Sequence, residues 1–536
     1  MKRFFIGISV LFLAIGYSPN SSTGTVMTAQ EAASALLPPA QEELLGEISP
    51  TFKFDDPEYY HLLSVASPDR KQIAWAESKG AKPWKVFYNG QPLGPQLDSD
   101  DPPNFFFSED SQHLLVKGWA PTKGFRSRPR VVLLDGKDQG TENGELYDAA
   151  LSPDGKKFAC ISQNGILLVN GQKIAGPFEG VTGIPSLLFS ADSNHLGCIV
   201  RYKAGKQHVV IIDGQENFIE DPTIDSLEFG ASGRFELIVN RDDGWSYVVD
   251  GQEGPAFDIL GRLVFSSDGK HYAYGGALDK HRKLTNRAIG TMVLNGKPGP
   301  EYRGATYDSL LNGFLGRRVS LIQGLIPLSS HYHGVSEPVF SKDGLHLAYA
   351  VRQDGGKTVV IRDGQPGPTF DEYCDDLAFS PDGSQLACVG RRAGKLVEVR
   401  DGIMTGELDT ISRGSSGDGL TWLPDGQRTA FIALNPSTGV FSDNHYWAVV
   451  DGKPTKMYKC LGMSKPIFSS SGKHWACMVL NAVGGRRYRS FVIVDGLELK
   501  FYDEVIQGSL FFFDDETIIY VAREGHKYYC VIQRLS

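Results

Sequence analysis

The sequence predicts an all-β chain organised as a β-propeller, and three observations predict it. A short motif recurs about eleven times, its copies stand about 40 residues apart, and no long segment after residue 50 carries helical periodicity. The motif places an apolar residue before Ser-Pro-Asp-Gly or a relaxed form of it, then a hydrophobic strand, a variable stretch and a closing Val-Val-Asp-Gly. Its clearest copy runs from Phe379-Ser380-Pro381-Asp382-Gly383 through Leu386-Ala387-Cys388 to Val397, Val399, Asp401 and Gly402.

Anchored on the turn Asp or its substitute, the copies fall at Asp69, Asp110, Asp154, Asp192, Ser232 and Asp268. They resume at Asp343, Asp382, Asp425, Ser471 and Asp514. Each copy reads as four short strands. The first ends in the residue before the turn, such as Phe107, Phe265 or Trp422. In the turn, Pro presets φ, Asp bonds the local backbone and Gly accepts a left-handed conformation. The second strand alternates, as in His346-Leu347-Ala348-Tyr349. The third, as in Val209-Val210-Ile211-Ile212, ends in Asn-Gly or Asp-Gly, a strong two-residue hairpin signal. The fourth follows a Gly-Pro approach, as at Gly367-Pro368-Thr369-Phe370.

Eleven repeats exceed the four to eight blades usual in one propeller, and the interval from Asp268 to Asp343 spans nearly two periods. The reading is two tandem propellers at 51–300 and 336–536, with an insertion or boundary at 301–335. A single large ring is the alternative. Ahead of the repeats, Met1-Lys2-Arg3 and the apolar stretch 4–15 form the pattern of a secretory signal over 1–16, with cleavage as late as residue 29 as an alternative, and 17–50 reads as a linker. The apolar stretch is short for a membrane span. The mature protein is therefore expected in the periplasm or outside the cell, without a transmembrane anchor and as a monomer.

Most eye-catching residues fall on repeat positions. Cys160, Cys198, Cys388 and Cys477 occupy the strand position that holds Trp75, Tyr274, Tyr349 or Phe431 in other copies, which describes a buried apolar site rather than a disulfide. Of the twelve histidines, His113, His195, His271, His346 and His474 all stand three residues after the turn anchor, a polar hairpin position. His331 and His333 lie off register, but no third ligand joins them, so no metal site is nominated. Asp98-Ser99-Asp100-Asp101 lacks the ligand spacing of a calcium loop. No cofactor is expected.

The motif Phe-Ser-Pro-Asp-Gly with Leu-Ala following, best seen at 379–387 and 340–348, resembles the WD40-like repeat of bacterial TolB-like and dipeptidyl-peptidase-type propellers, over roughly residues 60–530. The resemblance implies the fold. It does not imply one function, because this repeat serves many unrelated proteins. Enzymes that join such a propeller to an α/β-hydrolase domain would need Gly-x-Ser-x-Gly, which is absent: Gly414-Ser415-Ser416-Gly417-Asp418 fails at its last position. No catalytic residue is nominated.

Both repeated turns project from one face of the disc, so the remaining loops project from the other and vary from copy to copy. Binding usually resides in such loops. Several are basic: Arg126, Arg128 and Arg130; Arg282 and Lys283; Arg317 and Arg318; Arg391 and Arg392; Arg486 and Arg487. Against a formal net charge of −9, cations gathered on one face would attract an anionic partner. The expected function is thus a non-catalytic exported binding or scaffold module for a protein, an anionic polysaccharide or another anionic ligand. Export and the acidic total disfavour nucleic acid. The alternatives are a propeller-channel enzyme of the polysaccharide-lyase or glycoside-hydrolase kind, with Glu145, Asp308, Asp375 and Asp409 as nominees, and a structural envelope component.

Overall fold

The computed structural model describes residues 37–535 except 49–51, 53–59, 80–82, 98–101, 120–129, 141–145, 179, 182–186, 202–207, 219–222, 231–232, 279–287, 306–334, 354, 409–419, 436–443 and 483–487. Antiparallel strands carry the fold. Among the described residues they form eleven repeated units, here blades 1 to 11, at 60–92, 104–138, 146–175, 180–218, 223–253, 259–305, 339–370, 374–408, 421–454, 462–498 and 504–534. Blade 8 shows the plan: Cys374–Phe379, Leu386–Arg392, Lys395–Arg400 and Ile403–Leu408 pair in chain order as a meander. First strands of neighbouring blades lie against one another and so form the inner wall.

An apolar cluster fills each junction between consecutive blades. Blade 6 packs on blade 7 through Ala273, Met292, Tyr349, Val351 and Ile361, so the interval 301–335 does not separate two bodies. The circuit closes where blade 11 meets blade 1, through Ile73, Trp75, Ile506, Val521 and Tyr528. Two separate rings would instead need blade 6 to close on blade 1 and blade 7 on blade 11. The packing follows the single-ring alternative, with blades 6 and 7 as neighbours.

The stretch read as a linker needs correction. Residues Gln41–Glu47 form a strand that pairs antiparallel with Lys527–Arg534 and completes blade 11 as its outer strand. Its sequence, Gln-Glu-Glu-Leu-Leu-Gly-Glu, has one sheet partner to satisfy and mostly solvent to face. It therefore carries almost none of the alternation that marks a buried strand.

The repeated motif builds one face of the ring. In blade 8, Ser380 is buried and its hydroxyl donates to Asp382 Oδ1 at 2.5 Å while accepting from Gln385 N at 2.9 Å. Asp382 Oδ1 also accepts from Ser384 N, and Gly383 sits at φ 75°. The same bonds recur around Ser152, Ser190, Ser266 and Ser341. The Asp-Gly turn is tied in: Asp363 takes a left-handed φ of 52° and accepts from Leu347 N at 2.9 Å and meets His346 Nδ1 at 2.7 Å. His113–Asp135, His195–Asp213 and His474–Asp495 repeat that contact. The repeat histidines are thus turn fasteners.

Arginines add mortar between blades on this face. Arg70 donates to the Ser509 and Gly508 carbonyls and lies 4.8 Å from the Phe511 ring, across the closing junction. Arg234, Arg362 and Arg400 reach blades 6, 8 and 9 in the same way, over Phe265, Phe379 and Trp422. Positive charge is therefore not confined to the variable-loop face. All seven cysteines are buried thiols without a disulfide. Burial pushes Cys160 up to about 11 and Cys198 up to about 12.

The carboxylates of Asp110, Asp154, Asp192, Asp268, Asp343 and Asp382 are held below the ordinary range, chiefly by the serine hydroxyl, which pushes Asp192 down to about 2. A depressed folded value stabilises above the unfolded value, near 4, and that contribution is lost as pH falls through the folded one. Replacing Ser190 with Ala should therefore lower the unfolding midpoint most at neutral pH, with the gap to the parent chain closing between about pH 4 and pH 2. Melts across that range check it; a gap independent of pH would contradict it.

Candidate binding face

The second face is assembled from the ends of strands two and three. In blade 2, Leu114–Trp119 pairs with Arg130–Leu134, placing Arg130 directly opposite Trp119, with Lys117 two residues back on the same side. The pairing lays the Arg130 guanidinium over the indole, 4.7 Å from the ring centroid. Arg130 also pairs through its backbone with Leu146, the first residue of blade 3, and so joins the two blades in one eight-stranded sheet. A register shift between Leu146 and Asp148 follows. Asp148 then meets both cations: Arg130 Nη1 at 2.5 Å and Lys117 Nζ at 3.3 Å, each on Oδ1. Lys117 Nζ donates as well to the Ala149 carbonyl at 3.0 Å.

Exposure differs sharply across this centre. The Asp148 side chain is 2 % exposed, whereas Lys117 and Arg130 are 24 % and 25 % exposed. Elsewhere among the described residues, no carboxylate is shared by two permanently charged cations. Arg523 meets Asp503 and Glu504, Lys500 meets Glu42 and Glu524, and Arg241 pairs with Glu253 through two 2.8 Å bonds.

Arg391 and Arg392 serve the fold, Arg391 around its own hairpin and Arg392 against the preceding blade. Arg391 lies 3.6 Å from Glu372 and donates to the Gly394 carbonyl. Arg392 donates from Nε and Nη2 to the Thr369 carbonyl and covers the Phe370 ring. The other nominated cations, Arg126, Arg128, Arg282, Lys283, Arg317, Arg318, Arg486 and Arg487, lie outside the described residues, as do His331 and His333. Of the acidic nominees, Glu145, Asp308 and Asp409 also lie outside. Asp375 occupies the register shift in the inner strand of blade 8.

A second repeated carboxylate went unread in the sequence. Asp258, Asp371 and Asp503 each donate a backbone N–H to the carbonyl of Ala277, Arg391 or Arg523 in the next blade's second strand. The Asp371 and Asp503 side chains accept from Ala393 N and Gly525 N, each at 2.7 Å, capping the hairpin between strands two and three. The residue before each is a buried aromatic: Phe257, Phe370 or Tyr502. The signal was available. These aspartates stand eight residues after Asp250, Asp363 and Asp495 of the Asp-Gly turns, and the nominee Asp409 holds the same spacing after Asp401, which makes it a repeat position too.

No protein-family model and no curated protein matches the chain. Solved structures similar to it include one titled as the eukaryotic initiation factor, at 12 % identity and TM-score 0.37, covering 76 % of this chain and 96 % of that one. The Dos1 propeller is similar at 12 % identity and TM-score 0.30, covering 62 % of this chain and 89 % of its own. Hydrazine synthase of Kuenenia stuttgartiensis is similar at 12 % identity and TM-score 0.23, covering 56 % and 95 %. Likeness of this size carries nothing about activity.

Proposed function

We propose that the chain is an exported, non-catalytic binding module of the TolB-like repeat type that engages a protein or an anionic ligand through its variable-loop face. The observation that supports this most is the contrast between the faces. One face spends its serines, aspartates, histidines and arginines on the same bonds in blade after blade. On the other, the described residues repeat one backbone bond at Asp258, Asp371 and Asp503, while the Lys117–Arg130–Asp148 centre belongs to a single junction and is partly exposed. A rigid frame with individual loops suits recognition, because little ordering entropy is lost on binding. Export is supported by Met1-Lys2-Arg3 and the apolar stretch behind it.

Replacing Arg126, Arg128, Arg486 and Arg487 together with Ser tests the basic loops. The parent chain should bind a surface of immobilised acidic peptide at low salt and release it as salt rises. The variant should bind more weakly with a shallower salt dependence. Its unfolding free energy should stay within about 0.5 kcal/mol per site, as for surface substitutions. Identical binding curves at every salt concentration would remove the basic loops from the function.

A further inference from the structure

We infer that the junction of blades 2 and 3 is a carboxylate subsite, in which Lys117 and Arg130 receive a single acidic side chain or chain terminus of a protein partner. The inference rests on the binding-face reading and names the group that this face recognises. Two permanent cations share one described carboxylate, so the centre keeps 2 − 1 = +1 charge in a protein of net −9. The shared carboxylate is buried and the cations are a quarter exposed, so the surplus charge faces outward in partly desolvated surroundings. An unbalanced charge in such a place is costly until an anion meets it.

Donor geometry points the same way. Of the five N–H donors a guanidinium carries, Arg130 gives one to Asp148, and the described residues take none of the others. The Trp119 ring, 4.7 Å from the guanidinium, and the bond to Asp148 restrain the group and leave its remaining N–H donors for a two-oxygen acceptor. Arg392 and Arg241 differ, since both spend Nε and Nη2 on acceptors of their own blade or its neighbour.

One centre with one surplus charge suits one carboxylate. A regular polyanion would need a row of such centres, and among the described residues no second pair of permanent cations meets on one carboxylate. The acidic bulk of the protein would also repel a dense polyanion over the ~8 Å reach of charges at physiological ionic strength, while a mixed-charge peptide escapes that penalty. An acidic peptide segment is therefore favoured over an acidic polysaccharide.

A displayed library of random peptides, selected on the full chain, supplies the probe. Selected peptides should share one Asp, Glu or terminal carboxylate whose amide replacement abolishes binding. Lys117→Met keeps the Arg130–Asp148 pair, so the variant should fold, and it should bind the selected peptides about tenfold more weakly, the scale of one charge-assisted hydrogen bond. Asp148→Asn removes the competing carboxylate and should bind them several-fold more tightly, a gain that a purely structural role does not predict. Selected peptides without an acidic consensus, or unchanged affinity in both variants, would overturn the subsite while leaving the binding face standing. Failure to select any peptide, with polygalacturonate retained instead through Lys117, would overturn the peptide assignment. Failure to retain either would overturn the binding face as well.

Discussion

A chain that begins at residue 48 should fail to close its ring. Removing 37–47 strips the outer strand from blade 11 and leaves the Lys527–Arg534 edge unpaired. It also breaks contacts beyond blade 11. Glu42 accepts from Tyr502 Oη at 2.6 Å and Lys500 Nζ at 2.8 Å in the segment that follows blade 10, bonds that hold its carboxyl below the usual range against the opposing effect of burial. Gly46 fits beside blade 1 so closely that an added Cβ would stand 3.0 Å from both Gly90 N and the Trp75 ring. Gln533 Nε2 donates to the Pro38 carbonyl at 2.7 Å, and Leu37 and Ala40 pack beside Tyr502, Tyr520 and Leu535. The loss should exceed about 4 kcal/mol, the range of substitutions that break a packed network rather than a contact. It should also raise self-association through the exposed edge. Thermal unfolding and light scattering read both effects, and a synthetic peptide spanning 37–52 should restore part of the melt by adding back the missing strand. Gly46→Leu is the finer probe, since it keeps the whole strand but forces it off blade 1. Parent-like melts in both variants would show that the ring closes without this strand.

Much of the frame was legible because each blade repeats the same local physics. Ser-Pro-Asp-Gly and Asp-Gly are set by backbone conformation and short-range bonding, so sequence alone locates both turns and the strands between them. The structural roles of Cys388 and His346 followed from their register. Ring closure was not legible. The 41–47 strand is short, charged and far from its partner, and pairing between positions nearly 500 residues apart leaves no local trace. The count of rings failed for a related reason: spacing reports the length of a connection, and only the packing of Met292 against Tyr349 and Val351 shows that blades 6 and 7 are neighbours.

The candidate site was half legible. Arg130 was nominated as a cation in a loop, but its position opposite Trp119 depends on hairpin register, and its meeting with Asp148 depends on a register shift in another blade. The same reading overrated Arg391 and Arg392. A pair of adjacent arginines looks like a ligand signal, yet here the flanking Glu372, Thr369 and Phe370 absorb both. What distinguishes a recognition cation from a structural one is the number of donors its own fold leaves unspent, which one-dimensional charge counting does not register.

Trp75→Ala should be the most damaging single substitution in the ring. The position holds a small buried thiol, Cys388, Cys160 or Cys198, at other junctions. At the closing junction Trp75 is fully buried, stacked on Phe87 at 5.2 Å and tilted against Tyr528 at 5.4 Å, with Gly46 of the returning strand against its edge. One side chain thus touches blade 1, blade 11 and the closing strand. Truncation to Ala leaves a cavity that three elements would have to collapse into together, and costs about 3–5 kcal/mol. Trp75→Phe should cost less. It opens a smaller gap and removes the indole Nε1–H, which is buried without a hydrogen-bond acceptor among the described residues. Tyr274→Ala, at the same repeat position in blade 6, is the control for generic core loss. Both alanine variants should melt earlier, but amide exchange across 41–47 and 527–534 should rise far more in Trp75→Ala, because opening there begins at the seam. Equal exchange of these strands in the two variants would mean that the closing junction is no weaker a point than any other in the ring.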